Sequence, residues 1–407
     1  MENVVVTGMG IVSPIGCGVP NFWARLIAGE SAVKPIPGGD ALTGNRLWAA
    51  VGDDFLESTT LPRTALRNAD RFTQYALVAA HEAVAQSGLE SLDPLRTGVL
   101  VGNTMGGFPL VAQTQTQFLA EGNRSVPPKL MALVIPNMPA ASIALHWGLH
   151  GPQLGISTAC ASSLDAVGTA ARMIERGEID VAIAGGTETL LCHVVYESLV
   201  RAGALSKNPC PATASRPFDA ERDGFVMGDG SAMLVLERAE RSRARNARVL
   251  ARIRGYGQVA DGYHITSPEP SGRWEASAMS QALAEAALPA SDPVRVVYAH
   301  GTSTIVGDAA ELRAINRVFA HAASPPVVTS LKGHLGHGMA ASGAMSAIAG
   351  ILGMEQALVT QTLGTRRLDP AVAFDVVTER PRAFAFSSFH VNAFGFGGQN
   401  SSLVISR

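Results

Sequence analysis

The chain has 407 residues, 47% of them apolar and 16% charged, with a formal net charge of −2. That length exceeds one small domain, and the apolar share can furnish a large buried core. The near-neutral balance, with no basic cluster interleaved with aromatics, excludes a nucleic-acid-binding field, and no apolar run reaches the roughly 18 residues of a membrane span.

The N-terminus, MENVVVTGMG, lacks a basic stretch followed by a long apolar core, so no secretory leader is expected. Cys17, Cys160, Cys192 and Cys210 show no C-x-x-C spacing. Neither a zinc site nor a disulfide framework is indicated, and a cytoplasmic protein with reduced thiols is expected.

Short β-rich runs alternate with Ala-rich stretches of helical period. NVVVTGMG (3–10), RTGVLVGN (96–103), QLGIST (153–158), DVAIAGGTE (180–188) and SAMLVLE (231–237) read as buried strands. TQYALVAAHEAVAQSG (73–88) and the segment after Cys160 read as helices. GMGIVSPIG fails the G-x-G-x-x-G spacing, and Pro14 falls where a helix would run, so no dinucleotide loop is expected. ERAERSRARNARV (237–249) reads as a solvated break, and the boundary between two halves, 1–245 and 246–407, is placed near it. Beyond it RVLARIRGYG (248–257) and VRVVYAHGTS (294–303) read as strands, and AASGAMSAIAGILGMEQAL (340–358) as a buried small-residue helix. RAFAFSSFHVNAFGFGGQNSSLVIS (382–406) reads as strands around a glycine turn. The alternation in both halves predicts a layered α/β architecture.

Cys160, in STACASSLDAVGTAARMIERG, sits where a strand gives way to a helix, between small residues that leave room for a substrate. A thiol at a helix N-terminus feels the positive end of the macrodipole, so its pKa is expected to fall. The bland alternative is a buried structural cysteine. A cysteine nucleophile usually needs imidazole partners. Of ten histidines, His300 (AHGTSTIVGDAAEL) and His337 (KGHLGHGMAASG) lie in Gly-rich turns, the kind that present side chains into clefts. Lys332 precedes His337 by five residues, and Asp308 and Glu311 follow His300, which suggests a buried network that orients the imidazoles. His334 and His337 have the spacing of an i,i+3 metal pair, but nothing nearby completes a shell, so no metal is expected. NAFGFGGQN (392–400) is a third Gly-rich turn, readable either as a plain hairpin or as backbone brought close to a ligand.

TACASS, AHGTSTIVGD, KGHLGHGMAASG and NAFGFGG, together with VVVTGMGIVSPIG and ASRPFDAERDGFVMGDG (214–230), give a chain that resembles the elongating β-ketoacyl-acyl carrier protein synthases from end to end. The resemblance implies a thiolase-like fold, two similar α/β halves in a five-layered αβαβα arrangement, and a dimer. It implies that Cys160 carries an acyl thioester, and that His300 and His337 assist decarboxylation of malonyl-carrier protein. Lys332 would be a structural lysine partnered by Glu311. The backbone N–H groups of Cys160 and Phe396 would form an oxyanion hole, with Phe396 also the gating aromatic. Met105 and Leu199 would line the acyl pocket, core packing being the alternative for both. The partners implied are an acyl carrier protein and a second subunit, either a copy of this chain or a chain-length factor. No cofactor is implied, since the substrates arrive on phosphopantetheine. The carrier is acidic in this family, and Arg63, Arg67 and Arg71 recur every four residues as on one helix face, so they are expected to form its dock.

Thiolases share the fold but use a second catalytic cysteine, which is not found here. Initiating synthases use Cys-His-Asn, and chain-length factors lack the nucleophile. TACASS, Gln399 and His334 depart from the pattern common in housekeeping enzymes. These departures favour a type II polyketide or polyene pathway, with housekeeping fatty-acid elongation as the alternative.

Overall fold

A computed structural model describes residues 3–36 and 46–407. Its largest sheet has twelve strands among the described residues. From edge to edge eleven of them run Asp375–Val376, Val327–Thr329, Val296–Tyr298, Ser388–Gly395, Gln399–Ser406, Ala251–Ala260, Val4–Ser13, Gly230–Arg238, Val181–Glu188, Thr97–Gly102 and Gln153–Ile156. The twelfth, Gly16–Cys17, folds back on Val4–Ser13.

The sheet reads alike in both directions from the antiparallel pair Val5↔Arg252. Outward through Val4–Ser13 the pairings run antiparallel, antiparallel, parallel, parallel. Outward through Ala251–Ala260 the same four follow in the same order. Helices Arg71–Ser87 and Met138–Trp147 cover one outer face, and Arg273–Ala286 and Ile305–Val318 the other. Ser162–Glu175 and Ser342–Gln356 pack against each other between the sheet halves, which completes five layers. The expected arrangement of two similar halves is therefore present. The central Ser342–Gln356 is buried from Ser342 to Met354, and its Gly, Ala and Ser residues allow packing from all sides.

Both central helices follow a 3₁₀ turn, Ala159–Ala161 in one half and Met339–Ala341 in the other. Both turns begin with a non-glycine residue at positive φ, +50° at Ala159 and +45° at Met339. Such strain persists only where surroundings over-determine it. Cys160 holds the second place of the first turn and Ala340 that of the other, so one of two related corners carries a thiol.

The stretch 237–249 departs from its expectation as a solvated break. Glu237 lies within the strand Gly230–Arg238, is fully buried, and is bonded by Thr7 and paired with Arg241 and Arg245; Ala239–Ala244 is a short helix. A buried carboxylate is tolerable because cations converge on it. No described helix is long and apolar enough to cross a membrane.

Candidate active site

The strand Gln153–Ile156 delivers the chain to the corner that presents Cys160. Ser162 closes that corner: its hydroxyl donates to the Ala159 carbonyl at 2.6 Å and accepts the Thr158 N–H at 2.9 Å. Cys160 Sγ lies 3.1 Å from Nε2 of His337. The expectation of a depressed thiol pKa is corrected here. Burial pushes the thiol up to about 12, against the pull of the Lys332 charge and of the Phe396 and Cys160 N–H groups, with Glu188 adding to the rise. The helix proper starts at Ser162, and loss of water outweighs its dipole. The Cys160 thiol is thus buried beside an imidazole nitrogen.

His337 and His300 enter from the other half, and their rings stand 5.2 Å apart at 82°. Burial, and after it the Lys332 charge, holds both imidazoles well below their ordinary pKa, so both are neutral. His337 Nδ1 is 3.1 Å from Ser342 Oγ. His300 is fixed through its backbone: Glu311 accepts the N–H groups of His300 at 2.8 Å and Gly301 at 2.6 Å, and the Asn392 amide at 3.1 Å. Asp308 accepts the Ser303 and Phe218 N–H groups at 2.9 and 2.8 Å, holding the following turn. Glu311 thus serves the His300 backbone first. Lys332, fully enclosed and lowered to about 8 by burial, feels Glu311, Cys160 and Asp308 through space. The ligand atoms of Cys160, His300 and His337 lie within 4.8 Å of one another, a donor set that by type could hold a metal. The Lys332 ammonium in the same buried space opposes a dication. His334 stands apart, its ring nitrogens 2.8 and 3.0 Å from the carbonyls of Glu30 and Gln361.

The hairpin Ser388–Gly395/Gln399–Ser406 brings its turn onto the nucleophile. A Cβ on Gly395 would lie 2.9 Å from both the Cys160 nitrogen and the Thr158 carbonyl oxygen, so only glycine permits the approach. Phe396, 43% exposed, tops the turn. Its N–H and that of Cys160 both act on the Cys160 thiol, lowering its pKa against burial.

These residues form the floor of a cavity of about 760 Å³. Met105 and Leu199 line it together with Phe108, Leu190, Val194 and Val195, which sequence reasoning did not single out. Its lining also has polar residues, among them Asp261, Ser267, Glu275, Thr302 and Asn400. Glu188 was also missed. It is fully buried and accepts the Thr104 hydroxyl at 2.6 Å and N–H at 3.1 Å, which fixes the loop carrying Met105. The strand end DVAIAGGTE was its only signal in the sequence.

The arginine stripe needs correction. Helix Arg63–Leu66 ends with Arg67 as its cap, and a new helix begins at Arg71 behind Asp70. Arg71 is not free: it binds Asp53, the Tyr75 hydroxyl and the Val51 carbonyl. The regular spacing runs across a break, so one helix face does not carry all three.

Residues 1–242 match the family description "Beta-ketoacyl synthase, N-terminal domain", and residues 250–366 match "Beta-ketoacyl synthase, C-terminal domain". Over 409 residues the chain is 37% identical to "3-oxoacyl-[acyl-carrier-protein] synthase 2" of Coxiella burnetii (strain RSA 493 / Nine Mile phase I), covering 100% of this chain and 99% of the relative. The protein of the same name from Vibrio harveyi is 36% identical over 410 residues, covering 100% and 99%. Among solved structures, a β-ketoacyl synthase from Burkholderia phymatum STM815 superposes with a TM-score of 0.91 at 35% identity, covering all of both chains. The ishigamide ketosynthase/chain length factor superposes with a TM-score of 0.91 at 32% identity, covering 100% and 99%. A type II polyketide synthase acyl-carrier protein in complex with its ketosynthase, bound to the hexaketide, gives a TM-score of 0.88 at 29% identity, covering 100% and 99%.

Proposed function

The chain belongs to the β-ketoacyl synthase family, and from that premise we propose how its residues divide the labour of condensation. It is a condensing acyltransferase of the 3-oxoacyl-acyl carrier protein synthase type. The observation that carries the residue roles is Cys160 Sγ 3.1 Å from His337 Nε2, with His300 across the cavity floor.

In the transfer step Cys160 attacks the acyl thioester on a carrier's phosphopantetheine, and His337 takes the thiol proton and passes it to the departing carrier thiolate. The N–H groups of Cys160 and Phe396 hold the tetrahedral oxyanion. In the condensation step malonyl-carrier protein loses CO₂, and the enolate oxygen receives Nε2–H bonds from His300 and His337, both neutral. The enolate carbon attacks the Cys160 thioester. The Cys160 thiolate leaves and takes up one proton, the proton the whole cycle consumes. Burial, with the Lys332 charge adding to it, keeps the imidazoles uncharged, and Glu311 and Asp308 fix the turn carrying His300. Phe396 gates the nucleophile; Met105 and Leu199 border the growing chain. No separate cofactor enters, because carriers deliver both substrates. Residues 1–245 are assigned to the half bearing the nucleophile and 246–407 to the half bearing the histidines.

For the pathway, the proposal is the ketosynthase of a type II polyketide system. Support comes from the Cys160–Ser163 segment and Gln399 in the sequence, and from likeness to ketosynthases of that class. The specific observation favouring a second reading, fatty-acid elongation, is the name carried by relatives 36–37% identical to this chain. The strand Gln153–Ile156 is an outer sheet edge with three of its four residues exposed. Exposed Leu145, Leu154, Phe118 and Met131 add apolar surface. An open apolar edge asks for a partner, and a second synthase-like chain, identical or a chain-length factor, is the proposed one. The test is Cys160 acylation by saturated and conjugated acyl-carrier proteins, with and without a co-encoded synthase-like chain. Acylation by saturated chains without that partner supports fatty-acid elongation; a requirement for conjugated chains or for the partner supports the polyketide role.

A further inference from the structure

The cavity holds a carboxyl group that the mechanism above does not use. Glu275 sits in the first turn of helix Arg273–Ala286 and lines the cavity it shares with Cys160, His300 and His337. The residue is 1% exposed, and its Oε2 finds no hydrogen-bond partner among the described residues. Its neighbours are satisfied. Asp261 accepts the Asn400 amide and the Glu269 N–H, and Glu269 accepts the Ser271 hydroxyl. An enclosed, unbonded carboxyl oxygen is costly, which marks it as a place where a ligand supplies the missing bond.

The chemistry of that ligand follows from the wall. The cavity lining carries Asp223, Asp261 and Glu275 and, among the described residues, no lysine or arginine. A phosphate placed beside Glu275 would meet carboxyl groups and no lysine or arginine of the lining. Burial, and after it Asp261, Glu311 and Glu269, pushes Glu275 up to about 8, so near neutral pH the group is an uncharged acid able to donate as well as accept. Its complement is an uncharged group with its own acceptor and donor, which is an amide. The carrier arm of a thioester substrate contains two amides, between its sulfur and its phosphate.

We propose that Glu275 is a substrate-contacting specificity residue, whose carboxyl hydrogen-bonds an amide of the carrier arm and so selects thioesters borne on pantetheine. This rests on the reading of the chain as an acyl-carrier-dependent synthase. It adds a recognition contact from the helix Arg273–Ala286, in the cavity that Met105 and Leu199 also line.

The test compares Cys160 acylation rates, read by intact mass, for three hexanoyl thioesters: S-propyl with no amide, N-acetylcysteamine with one, and pantetheine with two. Wild type, Glu275→Gln and Glu275→Leu are compared. In Glu275→Leu the rate ratio of amide-bearing to amide-free thioester falls about tenfold, while Glu275→Gln, which keeps a donor and an acceptor, holds the wild-type ratio. A fall already seen with N-acetylcysteamine places the contact at the inner amide; a fall with pantetheine alone places it at the outer one. Equal ratios in wild type and Glu275→Leu would overturn the proposal. Absence of any Cys160 adduct in wild type would instead contradict the synthase reading, so the two failures are distinguishable.

Discussion

Ser342 Oγ lies 3.1 Å from Nδ1 of His337, on the side of the ring away from Cys160. A hydroxyl accepts or donates, so the imidazole can carry its proton at either nitrogen. With the thiol protonated, Nδ1–H donates to Ser342 and Nε2 faces S–H as a base. With Ser342 donating to Nδ1 instead, Nε2–H points at the enolate oxygen. One residue thereby lets one histidine serve both steps. Removing the hydroxyl in Ser342→Ala costs about 1–1.5 kcal/mol, the worth of one such bond, so kcat falls about tenfold. Single-turnover rates for acyl transfer and for malonyl decarboxylation both drop, and Ser342→Thr recovers them. Unchanged rates in the alanine variant contradict the two-way role.

Gly395 packs its α-carbon against the nucleophile corner. A Cβ there, 2.9 Å from the Cys160 nitrogen, must push the hairpin turn away. Gly395→Ala is expected to fold, because the strain of about 1–3 kcal/mol is local. It should slow acylation at least tenfold, since the Phe396 N–H leaves the oxyanion position. Thermal melting separates this from global damage: a large loss of melting temperature with unchanged activity per folded molecule would refute it.

Glu188 is fully buried, and burial raises its carboxyl to about 7, with the Thr104 hydroxyl holding it back. The unfolded value is about 4.3. The folded state therefore binds the proton more tightly, a contribution fully present below about 4.3 and lost as pH rises through 7. Glu188→Gln lacks that titration. The melting temperature of wild type minus that of Glu188→Gln should fall from pH 4.5 to pH 8. A constant difference contradicts the assignment.

Arg63 and Arg67 remain the proposed carrier dock, without Arg71. Charge reversal at both, Arg63→Glu with Arg67→Glu, should raise KM for an acidic acyl-carrier protein several-fold at low salt, and the effect should shrink as salt rises. Hydrolysis or transfer from a small thioester should not follow the same trend. Arg71→Glu should instead lower stability, because Arg71 ties Asp53, Tyr75 and Val51 together. A KM for carrier protein indifferent to the double reversal would remove the dock.

Cys160, His300 and His337 were legible in the sequence because each sits where an apolar run stops at small or glycine residues, and such corners end in clefts. The layered architecture was legible from alternating periods, and the repeat in strand pairing gives that alternation its physical form. Burial was not legible. Macrodipole reasoning predicted a depressed thiol pKa at Cys160, but no local pattern reported that the opposite half encloses the thiol and raises it. Ser342 and Glu188 were missed because their importance depends on what the folded chain places beside them. The arginine periodicity misled because Asp70 starts a second helix, and a four-residue rhythm does not see a helix boundary.

The most direct measurement is intact mass of the purified protein after incubation with acyl-carrier proteins, in wild type and Cys160→Ala, run with the synthase-like partner present and absent. A mass gain equal to one acyl group on wild type, mapped to Cys160 by peptide digestion and missing from Cys160→Ala, is the predicted result. A gain that survives in Cys160→Ala, or no gain on wild type with either subunit composition, would contradict Cys160 as the acyl-carrying nucleophile.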